Sequence, residues 1–212
     1  MVNINKINGF YVPTNDKHID AWKNKQKFFN EDNLTDIKKV INQKKIKTAL
    51  DIGAWCGLWS WHMKNIAKTI HLFEPNLLHM ECAKLNLENI DNIVYHSKAI
   101  GSKAGSVSME YAEDTHTQTY RIKNNNGDIP CITIDSLELI DVDLIKIDVE
   151  GYELHVLKGA EKTIQTNKPI IQIEYNGNTE NFGSPKIAIH DFLTNLGMTR
   201  AIKNYPDCIY KF

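Results

Sequence analysis

The feature that most constrains this chain is a glycine turn, Asp51-Ile52-Gly53-Ala54-Trp55-Cys56-Gly57, set between two different hydrophobic periodicities. Before it, Ile46 to Ile52 alternates as a strand does; after it, Gly57 to Ala67 puts Leu58, Trp61, Ile66 and Ala67 at helical inner positions. The same alternation recurs. Thr69 to Phe73 is a short apolar strand, Pro75 opens a helix through Leu87, and Ile93 to His96 is a third strand ending near Ala99-Ile100-Gly101. Farther along, Val142 to Ile147 is an apolar strand broken only by Asp143 and Lys146, Tyr152 to Ile164 is a helix, Pro169 to Tyr175 is a strand, and Pro185 to Leu196 is a last helix ended by Gly197. Repeated strand-helix units of this kind require a parallel sheet covered on both faces, which is an α/β fold.

The flanks complete the expected layout. After a polar leader, Asp32 to Asn42 places Leu34, Ile37, Val40 and Ile41 at helical spacing, so residues 1–44 read as an N-terminal helical segment ahead of an α/β core over 45–212. Between Gly105 and Asp128 a polar, turn-rich insertion holds Glu113-Asp114-Thr115-His116 and Asn124-Asn125-Asn126-Gly127, with an extra strand expected at Val107 to Tyr111. Met198 to Ile202 and Cys208 to Phe212 flank the turn signature Asn204-Tyr205-Pro206-Asp207 and predict a terminal β-hairpin. With no internal repeat or linker, the 212 residues are expected to make one domain.

Charge and cysteine usage narrow the function classes. The 25 basic and 26 acidic residues nearly cancel, so the attraction to a phosphate backbone that basic nucleic-acid binders show is missing, and nucleic acid is disfavoured as a target. The four cysteines, Cys56, Cys82, Cys131 and Cys208, lie far apart without a C-x-x-C pair, which indicates neither a zinc site nor a disulfide framework; they read as reduced, buried thiols. Met1-Val2-Asn3-Ile4-Asn5-Lys6 lacks the apolar run of a signal peptide, and no stretch approaches the ~20 apolar residues of a membrane span. A cytoplasmic location is the default expectation.

Three constellations carry chemistry. At the glycine turn, the backbone of Gly53 and Gly57 lets a ligand come close, and the helix N-terminus that follows suits a carboxylate or a phosphate. About twenty positions beyond the turn, Phe73-Glu74-Pro75-Asn76 ends the second strand with an acid that can accept hydrogen bonds from both hydroxyls of a ribose. The strand Asp143-Leu144-Ile145-Lys146-Ile147 then delivers Asp148 and Glu150 to the same sheet edge, where they can orient an ammonium, act as a general base, hold a divalent cation or cap the next helix. Ile173-Glu174-Tyr175-Asn176 adds an acid and an amide there; with Asp148 these offer the oxygen ligands a hard cation requires, although no ligand spacing fixes a metal. His116 and His155 are further candidate bases. Of the tryptophans around the turn, Trp55 is a candidate wall of the cofactor pocket, and Trp59 and Trp61 are read as packing.

Together these segments resemble the FkbM family of methyltransferases: Asp51-Ile52-Gly53-Ala54 with Gly57, Phe73-Glu74-Pro75, Ala99-Ile100-Gly101, Thr133-Ile134-Asp135-Ser136-Leu137, and Lys146-Ile147-Asp148-Val149-Glu150-Gly151-Tyr152-Glu153 running into Leu157-Lys158-Gly159-Ala160. The likeness spans roughly Lys45 to Asn176, and its last motif is the most specific. It implies a Rossmann-like seven-stranded methyltransferase sheet with the hairpin strand antiparallel, S-adenosylmethionine as donor, and hydroxyl groups of sugars or other small molecules as acceptors. By the same likeness Gly53 and Gly57 line the methionine portion, Glu74 takes the ribose, and Ala99 and Ile100 border the adenine; Asp51, Ala54, Trp55, Pro75 and Asp148 are counted with them as expected cofactor-binding residues. Many members carry asparagine where this chain has Trp55, so a polar contact from that side chain does not transfer.

Rival readings are an amine or nucleic-acid base as acceptor, a scaffold that keeps the fold without catalysis, and a nicotinamide dehydrogenase. The last would want G-x-G-x-x-G, whereas this turn has only Gly53 and Gly57. A base methyltransferase often carries an Asn-Pro-Pro-Tyr-type motif where this chain has Ile147-Asp148-Val149-Glu150. Proton removal from a hydroxyl acceptor falls to Asp148, Glu150 or His155.

Overall fold

A computed structural model describes residues 3–14, 31–113, 118–174, 180, 182, 185, 187–204 and 207–212. Strands β1 (Ile4–Ile7) and β2 (Phe10–Pro13) form a hairpin, followed by helix α1 (Glu31–Ile41). Then come β3 (Ile46–Ile52), α2 (Leu58–Met63), β4 (Ala67–Phe73), α3 (Leu77–Asn86), β5 (Ile93–His96), β6 (Ala99–Ile100), β7 (Gly105–Glu113) and β8 (Gln118–Ile132). A 3₁₀ turn, Asp135–Leu137, leads to β9 (Val142–Ile147), α4 (Glu153–Lys158), α5 (Glu161–Asn167), β10 (Ile170–Glu174), α6 (Ile187–Asn195), β11 (Thr199–Asn204) and β12 (Asp207–Lys211).

The main sheet has seven strands in the order β11-β12-β10-β9-β3-β4-β5. Strands β10, β9, β3, β4 and β5 pair in parallel, and β12 runs antiparallel to both neighbours, as a C-terminal hairpin inserted beside β10 must. Strand periodicity divides the core between the two faces. Leu50, Ile145 and Ile147 pack with Leu154, Val156, Leu157, Ile189 and Leu193 on one side. Ala49 and Leu144, one residue out of phase, pack with Leu34, Ile37, Trp59 and Met63 on the other. Helices therefore cover both faces, and Trp59 is a packing residue whose Nε1–H donates to Gln172 Oε1 at 3.1 Å. All four cysteines are buried thiols. Among the described residues no helix is long and apolar enough to cross a membrane.

Four features differ from the sequence reading. The leader contains a hairpin, held by Asn86: its Oδ1 accepts from Tyr11 N at 2.6 Å, and its Nδ2 donates to Tyr11 O at 2.8 Å and Cys56 O at 2.9 Å. Ala99–Ile100 does not end the third strand of the main sheet but pairs in parallel with Cys131–Ile132, so β6, β8 and β7 make a separate three-stranded sheet. The polar insertion is the long antiparallel pair β7 and β8 within that sheet, more strand than loop. The helix expected over Tyr152 to Ile164 is two: the Gly159 carbonyl accepts from Asp135 N at 2.9 Å, and the Asp135 carboxylate accepts from Lys162 N, Thr163 N and Thr163 Oγ1, starting α5 afresh. Residues 114–117, with His116, and 175–179, with Asn176, lie outside the described residues.

Candidate active site

Sheet register assembles the site. Ile52 pairs with Phe73 on one side and Ile147 on the other, and Ile147 pairs with Ile173, so the residues that follow these four, Gly53, Glu74, Asp148 and Glu174, stand side by side at one edge, the last of them still paired within β10. In open α/β sheets this edge is where ligands bind.

Gly53 has φ +76, and a Cβ there would overlap the carbonyl oxygen of Asp148. The turn and the β9 end are thus packed backbone to backbone, which only glycine permits. Gly57, φ +82, has a second duty: a Cβ would press on Leu87 Cδ1 at 2.9 Å and Ala83 Cβ at 3.2 Å, so it also seats α3. Between them Ala54 is buried, and Trp55 holds φ 48, a left-handed conformation costly for a bulky side chain. Its N–H donates to Glu74 Oε2 at 2.9 Å, and its ring meets His79 edge to face at 6.5 Å. Trp55 and Trp61 also pack with Phe10, Val12, Cys56 and Cys82, so the N-terminal hairpin lies against the glycine turn.

Glu74 is 5% exposed. Its Oε1 accepts from Asn76 N at 2.8 Å, and Asn76 Oδ1 in turn caps α3 by accepting from Leu78 N and His79 N. The acid is thereby fixed by two backbone amides, with Pro75, half-buried, holding the chain between it and the cap.

Asp51 reaches the turn from below. It is fully buried; Ser60 Oγ donates to its Oδ2 at 2.7 Å and the Lys146 ammonium stands 3.5 Å from Oδ1. Burial pushes its carboxyl up, and Lys146 and Ser60 act against that push. Lys146 donates to Gly53 O at 2.6 Å and lies 3.3 Å from Asp148 Oδ2, so one ammonium ties the glycine turn to both acids. Burial opposes its charge, but Asp148 and Asp51 outweigh it and hold the lysine above its ordinary range. The sequence reading treated Lys146 as an interruption in an apolar strand; that lone cation in a buried run was the signal.

The carboxylates of Asp148, Glu150 and Glu174 each offer an oxygen within 4.8 Å of the others. Glu150 adopts φ 55 and Gly151 φ 108, folding the chain back so that Glu153 Oε1 accepts from Val149 N at 3.2 Å and Gly151 N at 2.9 Å. No side chain caps α4, and the acid that braces the turn is Glu153, which sequence reasoning missed, although it ends the motif's Gly151-Tyr152-Glu153. Burial drives Glu153 up to about 7 despite these amides. Glu174 is pushed up to about 11, by burial first and then by Asp148 and Glu150.

His155 is placed elsewhere. Half-buried on α4, it stacks on Tyr152 at 4.2 Å and meets Ser102 Oγ through Nδ1 at 3.4 Å, and burial lowers its pKa. Ala99 and Ile100 are 2% and 3% exposed, with side chains given to packing, so a ligand at β6 meets backbone first. Gly101 and Gly159 touch across this region, since a Cβ on Gly159 would overlap the Gly101 carbonyl oxygen.

The sequence over residues 49–199 matches the model of the methyltransferase FkbM domain, which is most of the chain. The chain belongs to the FkbM methyltransferase family. A crystal structure of methyltransferase FkbM from Methylobacillus flagellatus KT is similar at 18% identity and TM-score 0.55, over 79% of this chain and 44% of that one. This FkbM chain thus spans less than half the length of that relative. Precorrin 8w decarboxylase from Methanobacterium thermoautotrophicum is similar at 11% identity and TM-score 0.53, over 88% of this chain and 92% of that one. Precorrin-6y C5,15-methyltransferase from Geobacter metallireducens GS-15 follows at 12% and 0.50, over 88% and 90%. At these identities the likenesses establish the methyltransferase fold of this FkbM chain. No curated protein matches it.

Proposed function

We propose that this FkbM-family chain uses S-adenosylmethionine to methylate a hydroxyl group on a sugar or another small molecule. The observation that carries the reading is the buried Glu74, pinned by two backbone amides at the strand end beside the glycine turn, where it can take both ribose hydroxyls. Gly53 and the backbone of Ala54 and Trp55 then border the methionine portion, and the Ala99-Ile100 backbone borders the adenine. Asp51 and Gly57 act from behind the surface, the first through Lys146 and the second through the seat of α3.

Methyl transfer to oxygen is an in-line displacement at the sulfonium methyl, so the acceptor oxygen must be brought within about 3 to 3.5 Å and must lose its proton. Asp148, with about a third of its side chain exposed at the sheet edge, is the base best placed to receive it, with Glu150 beside it. His155 serves only if the acceptor reaches the Ser102 side. Near-zero net charge favours a small neutral acceptor over nucleic acid.

The test is transfer of labelled methyl from the donor across a library of sugar and natural-product hydroxyls, with tRNA and DNA in parallel. Labelling of a hydroxyl compound, lowered by Asp148→Asn about 100-fold while donor binding survives, is the expected result. Labelling confined to nucleic acid, or unchanged turnover in the variant, would reject the acceptor or the base.

A further inference from the structure

The glycine turn holds one residue in a conformation that its side chain disfavours. Gly57 N donates to Ala54 O at 2.8 Å, closing a tight turn whose first inner residue is Trp55 at φ 48. A bulky residue at positive φ persists only where its surroundings over-determine it, and such outliers gather at ligand sites. In this conformation the Trp55 N–H donates to Glu74 Oε2 at 2.9 Å, so the strained residue is half of what fixes the buried acid.

On its other side Trp55 is held from the N-terminal hairpin. Asn86, the last residue of α3, donates through Nδ2 to the carbonyl of Cys56, the residue after Trp55, at 2.9 Å and to Tyr11 O at 2.8 Å. Its Oδ1 accepts from Tyr11 N at 2.6 Å, so one amide side chain fixes the turn and β2 together. The indole packs against the cluster that Phe10 and Val12 of β2 form with Cys56 and Cys82. The two preceding amides of the turn are anchored differently: Gly53 N and Ala54 N donate to Phe73 O of β4, within the main sheet.

We propose that the hairpin β1–β2 is a brace for the donor site, one that sets donor affinity through Trp55. Docked, it keeps Trp55 in the left-handed conformation and the Trp55 N–H on Glu74. Undocked, it lets Trp55 relax and leaves Glu74 with one backbone amide, that of Asn76, in place of two. The proposal rests on the S-adenosylmethionine reading of the site. Asn86 and Trp55 are positioning residues, acting on the ribose of the donor through Glu74. Coupling between two equilibria is reciprocal, so the factor by which docking raises donor affinity is the factor by which bound donor favours docking.

The first test is amide exchange of the full chain by NMR, without ligand, in the native sequence and in Asn86→Ala. The variant should speed exchange at the Trp55 amide by about tenfold along with β2, while the Gly53 and Ala54 amides stay within about threefold of native. A Trp55 amide that keeps its protection once β2 has opened would overturn the proposal. So would equal loss at Gly53, Ala54 and Trp55, which is what a merely structural support would give. Val12→Ala, which thins the apolar contact and leaves Asn86 in place, serves if Asn86→Ala fails to fold. The second test is calorimetric titration with S-adenosylhomocysteine as a double-mutant cycle. Asn86→Ala should weaken binding by about tenfold in the native background and by less than about threefold beside Trp55→Gly, because glycine takes a positive φ without strain. Bound S-adenosylhomocysteine should slow exchange of the β2 amides by a like factor. Equal weakening in both backgrounds, or none in the native one, would overturn the coupling. Absence of binding in every variant would reject the donor reading instead, and the exchange result, which needs no ligand, would still decide whether the hairpin holds Trp55 on Glu74.

Discussion

Gly53 shows how a residue's place can be legible in sequence while its packing reason stays hidden. Its place in a strand-to-helix turn signals close approach of a ligand, yet in the structure the nearest group is the Asp148 backbone. Gly53→Ala should therefore cost more than about 3 kcal/mol in urea unfolding, from overlap added to a φ of +76. Glu153 gives a residue-scale prediction in pH. Its folded value of about 7 lies above its ordinary 4.5, so below pH 4.5 both folded and unfolded chains hold the proton and the residue is neutral to stability. As pH rises from there to about 7 the unfolded chain ionises first, and stability falls by on the order of 3 kcal/mol, then levels. Thermal melting of Glu153→Gln should lose that decline; an unchanged pH profile would show that Glu153 titrates normally. Glu74 and Asp148 were legible because strand ends beside a glycine turn have few uses for an acid. Lys146, Glu153 and the inward turn of Asp51 were not, because their roles depend on the register that sets β9 against β3.

At the scale of elements, the βα units were legible because buried parallel strands and two-faced helices write different periods into the chain. The N-terminal hairpin was not: four-residue strands whose burial does not alternate, β1 with its two middle residues exposed and β2 with none, leave little pattern, and their stability comes from Asn86 and the apolar contact of Phe10 and Val12 with Cys56 and Cys82. Asn86→Ala removes three hydrogen bonds and should cost about 2 kcal/mol, opening residues 4–13 to amide exchange while β9 and β10 stay protected. Equal loss of protection across the main sheet would mean that the hairpin is part of the global core instead. The break between α4 and α5 also escaped the sequence, since helical spacing runs through Gly159 and only the distant Asp135 supplies the new cap.

For the whole molecule, the seven-stranded sheet and its antiparallel β12 follow from the order of elements once the terminal hairpin is recognised. What the order of elements leaves open is the acceptor; the hairpin and the β6-β8-β7 sheet are additions to the main sheet and carry no periodic signal of a function. On the function proposed above, the glycine turn and Glu74 hold the adenosine-linked donor. Calorimetric titration of the purified protein with S-adenosylhomocysteine and, separately, with NADH, repeated in Glu74→Ala, tests it most directly. The first ligand alone should bind, at roughly micromolar affinity, and the variant should weaken that binding at least tenfold. No binding of S-adenosylhomocysteine, or binding that Glu74→Ala leaves unchanged, would contradict it.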